Sequence, residues 1–490
     1  MTTNAEREIA SLVAVSQIPS CSYARKTGRD DAISDALSRA AAHLQWADGR
    51  GPFGALIPRG ARVLIKPNLV LHSNTGTGGL EPLVTHRSLI SAVVEAALLA
   101  GAGGVVVGDA PLQSCDFSSL LATTGLEAWA DETMKRDSRF KGIRDFRRTT
   151  CAIVHGIRKA EEDLQSEDRF TLFDLGRDSL LEPITNEEER FRVTWYDPRL
   201  MARTHRPGHH QFLVAKEILE ADVVINLPKL KTHKKAGVTC ALKNLIGING
   251  NKEYLPHHRL GGSETGGDCY PGTSMIKRAR EYVMDRQNLT SSTAAGAWWH
   301  ALDALLSRMS NLQGDRIGVE GSWSGNDTIW RTCLDLNRIL LYGQLDGSMA
   351  DQRQRRVIHV VDAVIAGQGD GPLSPDPLPL GVILAGDSAV AVDWVAAQFL
   401  AYDPFKIPLL RHAFEDFRWP LCQFSNAEVQ VTGDLGQGSP AIVASQKIPV
   451  AHPPGWRDAS SQIATIETQA VAGSCVRHER KLSNNDVSDG

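Results

Sequence analysis

Runs of consecutive apolar residues alternate along the chain with segments in which apolar residues recur every three or four positions. Such runs are typical of strands buried on both faces, and the longer period is typical of helices covering a sheet. The predicted strands are Ser11–Ile18, Arg62–Val70, Gly103–Pro111, Phe191–Asp197, Ala221–Leu227, Val357–Gly367, Leu380–Asp387 and Asn426–Asp434. The predicted helices are Asp31–Trp46, Thr85–Ala102, Gln211–Glu220, Gly237–Gly247, Ser274–Met309 and Ser388–Leu400. This order predicts an α/β fold with mainly parallel sheets flanked by helices.

The alternation occurs in two blocks, and we expect two α/β lobes around a cleft. Residues 1–115 would form the N-terminal lobe, and residues 201–440 the second block. Between them, residues 116–200 are more charged and less regular, which indicates an elaboration of the fold. Residues 441–490 are rich in Ser, Asn and Gln with little apolar pattern, so we expect a mostly mobile tail.

Composition narrows the classes of partner. The 490 residues carry a formal net charge of −4, so nothing global favours nucleic acid or a membrane surface as partner. No apolar stretch is long enough to span a bilayer, and the first residues do not resemble a secretory signal. We therefore expect a cytoplasmic protein. The eight cysteines include no C-x-x-C pair, so no iron–sulfur cluster is expected.

Polar side chains and glycines follow almost every predicted parallel strand. Ligands of open α/β sheets bind at the carboxyl ends of the strands, so these residues are expected to share one cleft. They include Lys66, Asn68, Asp109, Lys229, Lys231, His233, Gly367, Gly369, Gly371 and Asp387.

The stretch NLPKLKTHKK begins with the last two residues of the strand Ala221–Leu227 and is strongly basic. Lysines beyond a strand end, together with the amides of a helix beginning near Gly237, would hold a phosphate or carboxylate. We therefore predict that Lys66, Asn68, Lys229 and Lys231 bind a small anionic ligand. A solvated lysine-rich loop is the alternative.

Lys243 lies within a predicted apolar helix. A desolvated lysine has a lowered pKa and can act as a base or a nucleophile. Lys243, His233 and Asp109 are accordingly the candidate catalytic residues. A side chain that extends to solvent or pairs with a carboxylate is the alternative for Lys243.

Two weaker signals concern cofactors. The loop with Gly367, Gly369 and Gly371 could cradle a phosphate through backbone amides, although turns also explain such glycines. His233 and Asp387 could hold a divalent metal, although ordinary polar histidines explain the pattern equally well. The cofactor is thus left open between a metal and a nucleotide-like molecule.

Several blocks of the chain resemble the family called domain of unknown function (DUF) 362. They are KPNLV, ADVVINLPKLKTH, GVTCALKNLIGI, DAVIAGQGDGP and GVILAGDSAVAVDWVAAQFL, in the order of that family. The resemblance implies no defined reaction. Some members carry a ferredoxin-like portion, but the scattered cysteines of this chain do not supply its pattern.

The stretch from Ala221 to Ile248 is also similar in layout to the nickel-pincer lactate racemase family. That similarity would place a metal-site histidine at His233 and the cofactor-bearing lysine at Lys243. In place of that family's glycines this chain has Cys240 and Ala241, which would crowd a cofactor.

These observations favour an enzyme of unknown reaction that binds an anionic small molecule or a nucleotide-like or metal cofactor. A non-catalytic ligand-binding or cofactor-carrier protein is the alternative. Nucleic-acid binding is disfavoured because the basic stretch is short and lacks interleaved aromatic residues.

Overall fold

The computed structural model describes residues 11–23, 31–154, 157–186, 188–290, 292–312, 317–446 and 448–460. The strands of this part are β1 (Leu12–Gln17), β2 (Arg62–Pro67), β3 (Gly104–Asp109), β4 (Phe140–Asp145), β5 (Thr149–Val154), β6 (Ile157–Asp163), β7 (Phe170–Asp174), β8 (Phe191–Arg192), β9 (His205–Arg206), β10 (His209–Ala215), β11 (Val223–Leu227), β12 (Lys229–His233), β13 (Gly237–Thr239), β14 (His258–Arg259), β15 (Arg356–Asp370), β16 (Ser374–Gly386) and β17 (Gln430–Gly433).

The α-helices of the described residues are α1 (Ala32–His43), α2 (Arg87–Ala100), α3 (Phe117–Thr123), α4 (Leu126–Arg136), α5 (Pro198–Thr204), α6 (Lys216–Leu219), α7 (Ala241–Asn244), α8 (Met275–Leu289), α9 (Thr293–Leu312), α10 (Ile329–Tyr342), α11 (Ala389–Phe399), α12 (Pro408–His412) and α13 (Ala441–Ala444). Most of the predicted helices are present.

One ten-stranded sheet organises the chain, with the order β17-β1-β16-β15-β11-β2-β3-β4 and with β12 and β13 attached beside β15. The strands β15, β11, β2, β3 and β4 run parallel to one another, while β16 pairs antiparallel with β15 and β1. The predicted α/β class with a mainly parallel sheet is therefore confirmed.

The sheet is covered on both faces, as its apolar strands require. Strand β1 shows the alternation: Ala14 faces one core with α1 and α2, whereas Val13 and Val15 face a second core with α10 and α11. In a third apolar cluster, residues of the segment from Phe170 to Tyr196 pack with residues of β10 and α10.

The expected division into two separate lobes is not seen. Strands from residues 1–115 and from residues 201–440 alternate within the same sheet, because β11 lies between β2 and β15. Residues 448–460 also pack against this body, and Trp456 is buried there. This packing differs from the mostly mobile tail that we expected for residues 441–490. Residues 461–490 lie outside the described part.

Two predicted helices are partly strands. Residues His209–Ala215 form β10, which pairs with β7, and only Lys216–Leu219 is helical. Gly237–Thr239 forms β13 against β12, and α7 is a single turn. In both places tertiary pairing of the backbone overrides the local helical pattern.

Candidate functional site

The carboxyl ends of β2, β3 and β11 meet at one edge of the sheet. Lys66 Nζ lies 2.6 Å from Asp109 Oδ1, and both side chains are buried. Asp109 Oδ2 accepts a hydrogen bond from the Leu69 amide at 2.6 Å. Burial lowers the pKa of Lys66 and raises that of Asp109, and their attraction opposes both shifts. The two predicted site residues thus form one ion pair.

A buried amide network extends from this pair. Asn244 Oδ1 accepts hydrogen bonds from Lys66 Nζ at 3.2 Å and from Asn68 Nδ2 at 2.9 Å. Asn244 Nδ2 donates to Asn226 Oδ1 at 2.7 Å, and Asn226 Nδ2 donates to the Ala241 carbonyl at 2.9 Å. The network fixes the turn of α7 relative to three strand ends, since each amide has its partners inside the protein.

A cavity of about 450 Å³ opens above this network. This volume is within the usual range of small-molecule sites. Seven basic side chains and two carboxylates line it, together with two histidines. The basic residues are Lys66, Arg147, Lys231, Lys234, Lys235, Lys243 and Lys252, the acidic ones Asp109 and Glu320, and the histidines His233 and His257. The lining is therefore strongly cationic even though the whole protein is slightly acidic.

Lys231 is fully buried on the wall of this cavity. Its Nζ donates to Asn68 Oδ1 at 3.0 Å and to the Leu83 carbonyl at 2.5 Å. Burial and the charges of Lys229 and Lys243 lower its pKa well below the usual value. Lys231 and Asn68, both predicted to bind the anion, are thus in contact.

Lys243 differs from the other lysines. In the part of the chain that the structure describes, its Nζ forms no hydrogen bond or ion pair, and the side chain lines the cavity. Burial lowers its pKa. Of the two interpretations of Lys243, the structure therefore favours a cavity amine over a carboxylate-paired lysine.

The amides at the start of α7 do not face a ligand. Asp393 Oδ1 accepts from the Ala241 amide at 2.6 Å, and Asp393 Oδ2 accepts from the Leu242 amide at 2.9 Å. Burial raises the pKa of Asp393 to about 7. The predicted anion site at this helix start is wrong, because a carboxylate of the protein occupies it.

His233 is held in one tautomer. Its Nδ1 accepts hydrogen bonds from the amides of Lys235 at 3.0 Å and Ala236 at 3.1 Å. Since Nδ1 is an acceptor, the proton of the neutral ring lies on Nε2. Burial and the charge of Lys243 lower the pKa of His233 well below its usual value. The ring can therefore donate a hydrogen bond but offers no lone pair to a proton or a metal, which argues against both predicted roles.

His257 has the opposite arrangement. Its Nδ1 lies 2.7 Å from the Leu255 carbonyl, so Nδ1 carries the proton and Nε2 has the lone pair. The residue lines the cavity, and Nε2 has no partner in the described part of the chain. Burial and the charge of Lys235 lower its pKa well below the usual value, as for His233. His257 is thus the histidine that can accept a proton.

Lys234 and Lys235 share Glu320. Their Nζ atoms lie 3.3 Å and 3.5 Å from Glu320 Oε2, and Lys235 Nζ donates to Thr194 Oγ1 at 2.7 Å. Burial lowers the pKa of Lys235 to about 8 despite Glu320. Burial raises the pKa of Glu320, but the two lysines outweigh it and bring that pKa to about 2. Two lysine side chains therefore share one carboxylate.

Lys229 lies away from the cavity. Its Nζ is 2.8 Å from Asp362 Oδ2 and 2.7 Å from the hydroxyl of Tyr23, all within the core. This buried triad satisfies the charge of Lys229, so its predicted role in anion binding is wrong.

The glycines Gly367, Gly369 and Gly371 lie in the β15–β16 hairpin and do not line the cavity. A Cβ at Gly367 would lie 2.7 Å from Lys231 Cβ, and one at Gly371 would lie 1.9 Å from the Thr232 carbonyl oxygen. The amides of Gly369 and Gly371 bond to the carbonyls of Ala451 and Gly369. These glycines allow close packing against β12 and are not a phosphate cradle.

Asp387 is likewise remote from His233. It accepts from Trp46 Nε1 at 3.1 Å and pairs with Arg356, at the other end of β16. Among the described residues no group of three or more His, Cys, Asp or Glu side chains could hold a metal ion. The predicted His233–Asp387 metal site is therefore wrong.

Sequence reasoning missed the roles of several cavity residues. Asn244, Glu320 and Thr194 come from segments that carry no strand-end signal, and only the folded chain brings them to the cavity. The alternation in Lys229, Lys231 and His233 was the available signal for β12, since every second residue of a strand faces one side.

The chain is similar over part of its length to a curated protein and to a protein of known structure. The chain is 24% identical over 210 residues to a thylakoid-associated protein of Synechocystis sp., and the match covers 42% of this chain and 41% of that protein. A crystal structure of a Thermotoga maritima protein matches 71% of this chain and 53% of that chain, with 11% identity and a TM-score of 0.27. The chain thus spans well under two thirds of the length of either protein.

No helix in the described ranges is both long and apolar enough to cross a membrane. The family model described as "Domain of unknown function (DUF362)" matches residues 63–161 and 182–398. Because this match covers more than half of the sequence, the protein belongs to the DUF362 family.

Proposed function

We propose that the protein is an enzyme that binds a small phosphate- or carboxylate-bearing molecule in the cavity above Lys66 and Asp109. The observation that carries this proposal is the excess of basic side chains over carboxylates in the cavity, with the Lys243 amine unpaired among the described residues. An anion would supply the charge that the protein itself does not provide there.

The cavity residues divide into three roles in this proposal. Lys235 attracts the anion, and Lys231 and the Nε2–H of His233 donate hydrogen bonds to it. Lys243 is the reactive group, and the lone pair of His257 Nε2 takes up a proton. The Lys66–Asp109 pair positions the turn of α7. A nucleotide-like cofactor would use the same cationic lining.

The enzyme is favoured over a ligand carrier because one cavity contains both a proton acceptor, His257, and an amine, Lys243, that has no partner among the described residues. A carrier needs only the cationic lining, whereas it gains nothing from a lysine whose pKa is lowered by burial.

Calorimetric titration of the full chain with oxalate, pyrophosphate and a nucleoside diphosphate tests the binding proposal. We expect saturable binding of at least one of them near pH 7, with at least about tenfold weaker binding by Lys235→Met, since a charged hydrogen bond contributes about 1.5–3 kcal/mol. Lys141→Met is the matched control, because Lys141 is exposed and its one hydrogen bond within the described residues is to the Ser138 carbonyl. Absence of saturable binding by the wild type, or equal binding by Lys235→Met, would contradict the proposal.

A further inference from the structure

The Lys243 amine has surroundings that disfavour its charge. It has no carboxylate partner in the described residues, and loss of solvent in the cavity lowers its pKa. A partly buried amine without a carboxylate partner is neutral more often than an exposed one, and a neutral amine is a nucleophile.

The backbone that carries Lys243 is fixed on both sides. Asp393 holds the amides of the two preceding residues, and the side chain of Asn244, the next residue, is anchored to Asn226 and Lys66. The Lys243 side chain therefore projects into the cavity from a turn that cannot readily rotate, which is the preorganisation a nucleophile requires.

The two histidines complement an amine that attacks a carbonyl group. The oxygen of the carbonyl develops negative charge and needs a donor, which the Nε2–H of His233 supplies. The nitrogen loses a proton and needs an acceptor, which the lone pair of His257 Nε2 supplies. The backbone bonds at each Nδ1 fix these opposite tautomers without any ligand.

We propose that Lys243 forms an imine with an aldehyde or ketone that also carries a carboxylate or phosphate group. This inference rests on the proposed anion-binding function and names its substrate class. The carbonyl carbon would lie at Lys243 Nζ, and the anionic group would lie against the Lys231 and Lys235 side chains of the cavity.

The step balances without any oxidant or reductant. The Nζ–carbon bond forms as the carbonyl π electrons move to oxygen, and the proton lost from nitrogen passes by way of His257 Nε2 to that oxygen. The resulting carbinolamine takes one proton from solvent and expels water as the nitrogen lone pair forms the C=N bond. The products are a protonated imine and one water molecule.

Reductive trapping tests this inference. The full chain is incubated near pH 7 with glyoxylate or with pyridoxal 5′-phosphate, which join an aldehyde to a carboxylate or a phosphate, and then reduced with borohydride. We expect one covalent adduct per chain on Lys243 by peptide mapping, formed at least about tenfold faster than on Lys141, because each unit of lowered pKa raises the neutral fraction tenfold. Propanal, which has no anionic group, should label Lys243 more slowly. The faster of the two anionic probes identifies the preferred anion.

Two variants keep the test independent of folding. Lys243→Arg retains a positive charge but forms no stable imine, and Lys243→Met has neither the charge nor an amine. Circular dichroism checks that each variant is folded. Loss of the adduct in both folded variants supports the inference. Adducts distributed equally over exposed lysines, or unchanged labelling of Lys243→Arg, overturn it.

The calorimetric titration separates the two proposals. If oxalate or pyrophosphate binds but neither probe labels Lys243, the imine is overturned and the anion-binding function stands. If no anion binds and no adduct forms, both are overturned.

Discussion

Individual residues around the Lys66–Asp109 pair show how little space the site leaves. Gly247 passes so close that an added Cβ would lie 2.1 Å from Asp109 Oδ1 and 2.6 Å from Lys66 Nζ. A glycine at this position is therefore a requirement of the buried ion pair and not of a turn, since its φ is not among the positive values.

The variant Gly247→Ala should destabilise the protein by about 3 kcal/mol or more, because separating a buried ion pair leaves uncompensated charges. Urea unfolding measures the change. Gly104→Ala is the control, since Gly104 belongs to the neighbouring strand β3 and an added Cβ there meets no atom within 4 Å. Equal stability of the two variants would show that the pair tolerates displacement.

The affinity for an anion should fall as the pH rises through about 8. Lys235 has a folded pKa of about 8, so it is charged below that pH and neutral above it. Oxalate is a suitable ligand because its own charge does not change in this range. In Lys235→Met the step near pH 8 should disappear, and any step that remains belongs to Lys231 or Lys243, which also line the cavity. A pH-independent affinity of the wild type would contradict the assignment.

Among the elements, the single turn of α7 depends on a distant side chain. Asp393, at the middle of α11, accepts hydrogen bonds from the Ala241 and Leu242 amides at the start of α7. These bonds join α11 to the turn that carries Lys243. The apolar sequence around Lys243 predicted a longer helix, but β13 and Asp393 determine its actual start, and neither is visible in the local pattern.

Asp393→Asn should cost about 1–3 kcal/mol, since the Asn amide nitrogen cannot accept and one buried amide loses its partner. It should also slow adduct formation at Lys243, because the turn loses an anchor. Asp403→Asn changes a partly exposed cap of the Phe405 amide, and its cost should stay within about 1 kcal/mol. The comparison is made by urea unfolding and by the trapping rate. Unchanged stability and trapping in Asp393→Asn would contradict the role of this carboxylate.

At the scale of the whole molecule, residues 448–460 pack against the loop between β12 and β13. Trp456 is buried, its Nε1 donates to the Lys234 carbonyl at 2.7 Å, and its ring lies so close to Gly237 that a Cβ there would be 2.7 Å away. The cationic strand and the loop after it are thus held between the sheet and a segment more than two hundred residues later.

Replacing Trp456 with Ala should destabilise the protein by about 3–5 kcal/mol, as is usual when a large core aromatic is removed. It should also weaken anion binding, because the Lys234 carbonyl loses its donor. Trp298→Ala, at a side chain that is 58% exposed, is the control and should change the stability little. Thermal unfolding measures the stability and calorimetry the anion affinity. Similar behaviour of the two variants would contradict the role of Trp456 in holding β12 and the loop after it.

The sequence by itself determined the α/β class and the meeting of Lys66, Asn68, Asp109 and Lys231. It also predicted the strands Arg62–Val70, Gly103–Pro111 and Ala221–Leu227, which the structure shortens by a few residues at one or both ends. The physical reason is that buried parallel strands have apolar runs and that their carboxyl ends lie at one edge of a sheet.

Only the tertiary structure decided which of these charges are free. Lys229 and Lys243 are equally basic in the sequence, yet one is neutralised by Asp362 and the other has no partner in the described residues. The tautomers of His233 and His257 depend on backbone atoms placed by the fold. Pairing of charges and hydrogen bonds joins residues far apart in the chain, and no local pattern records it.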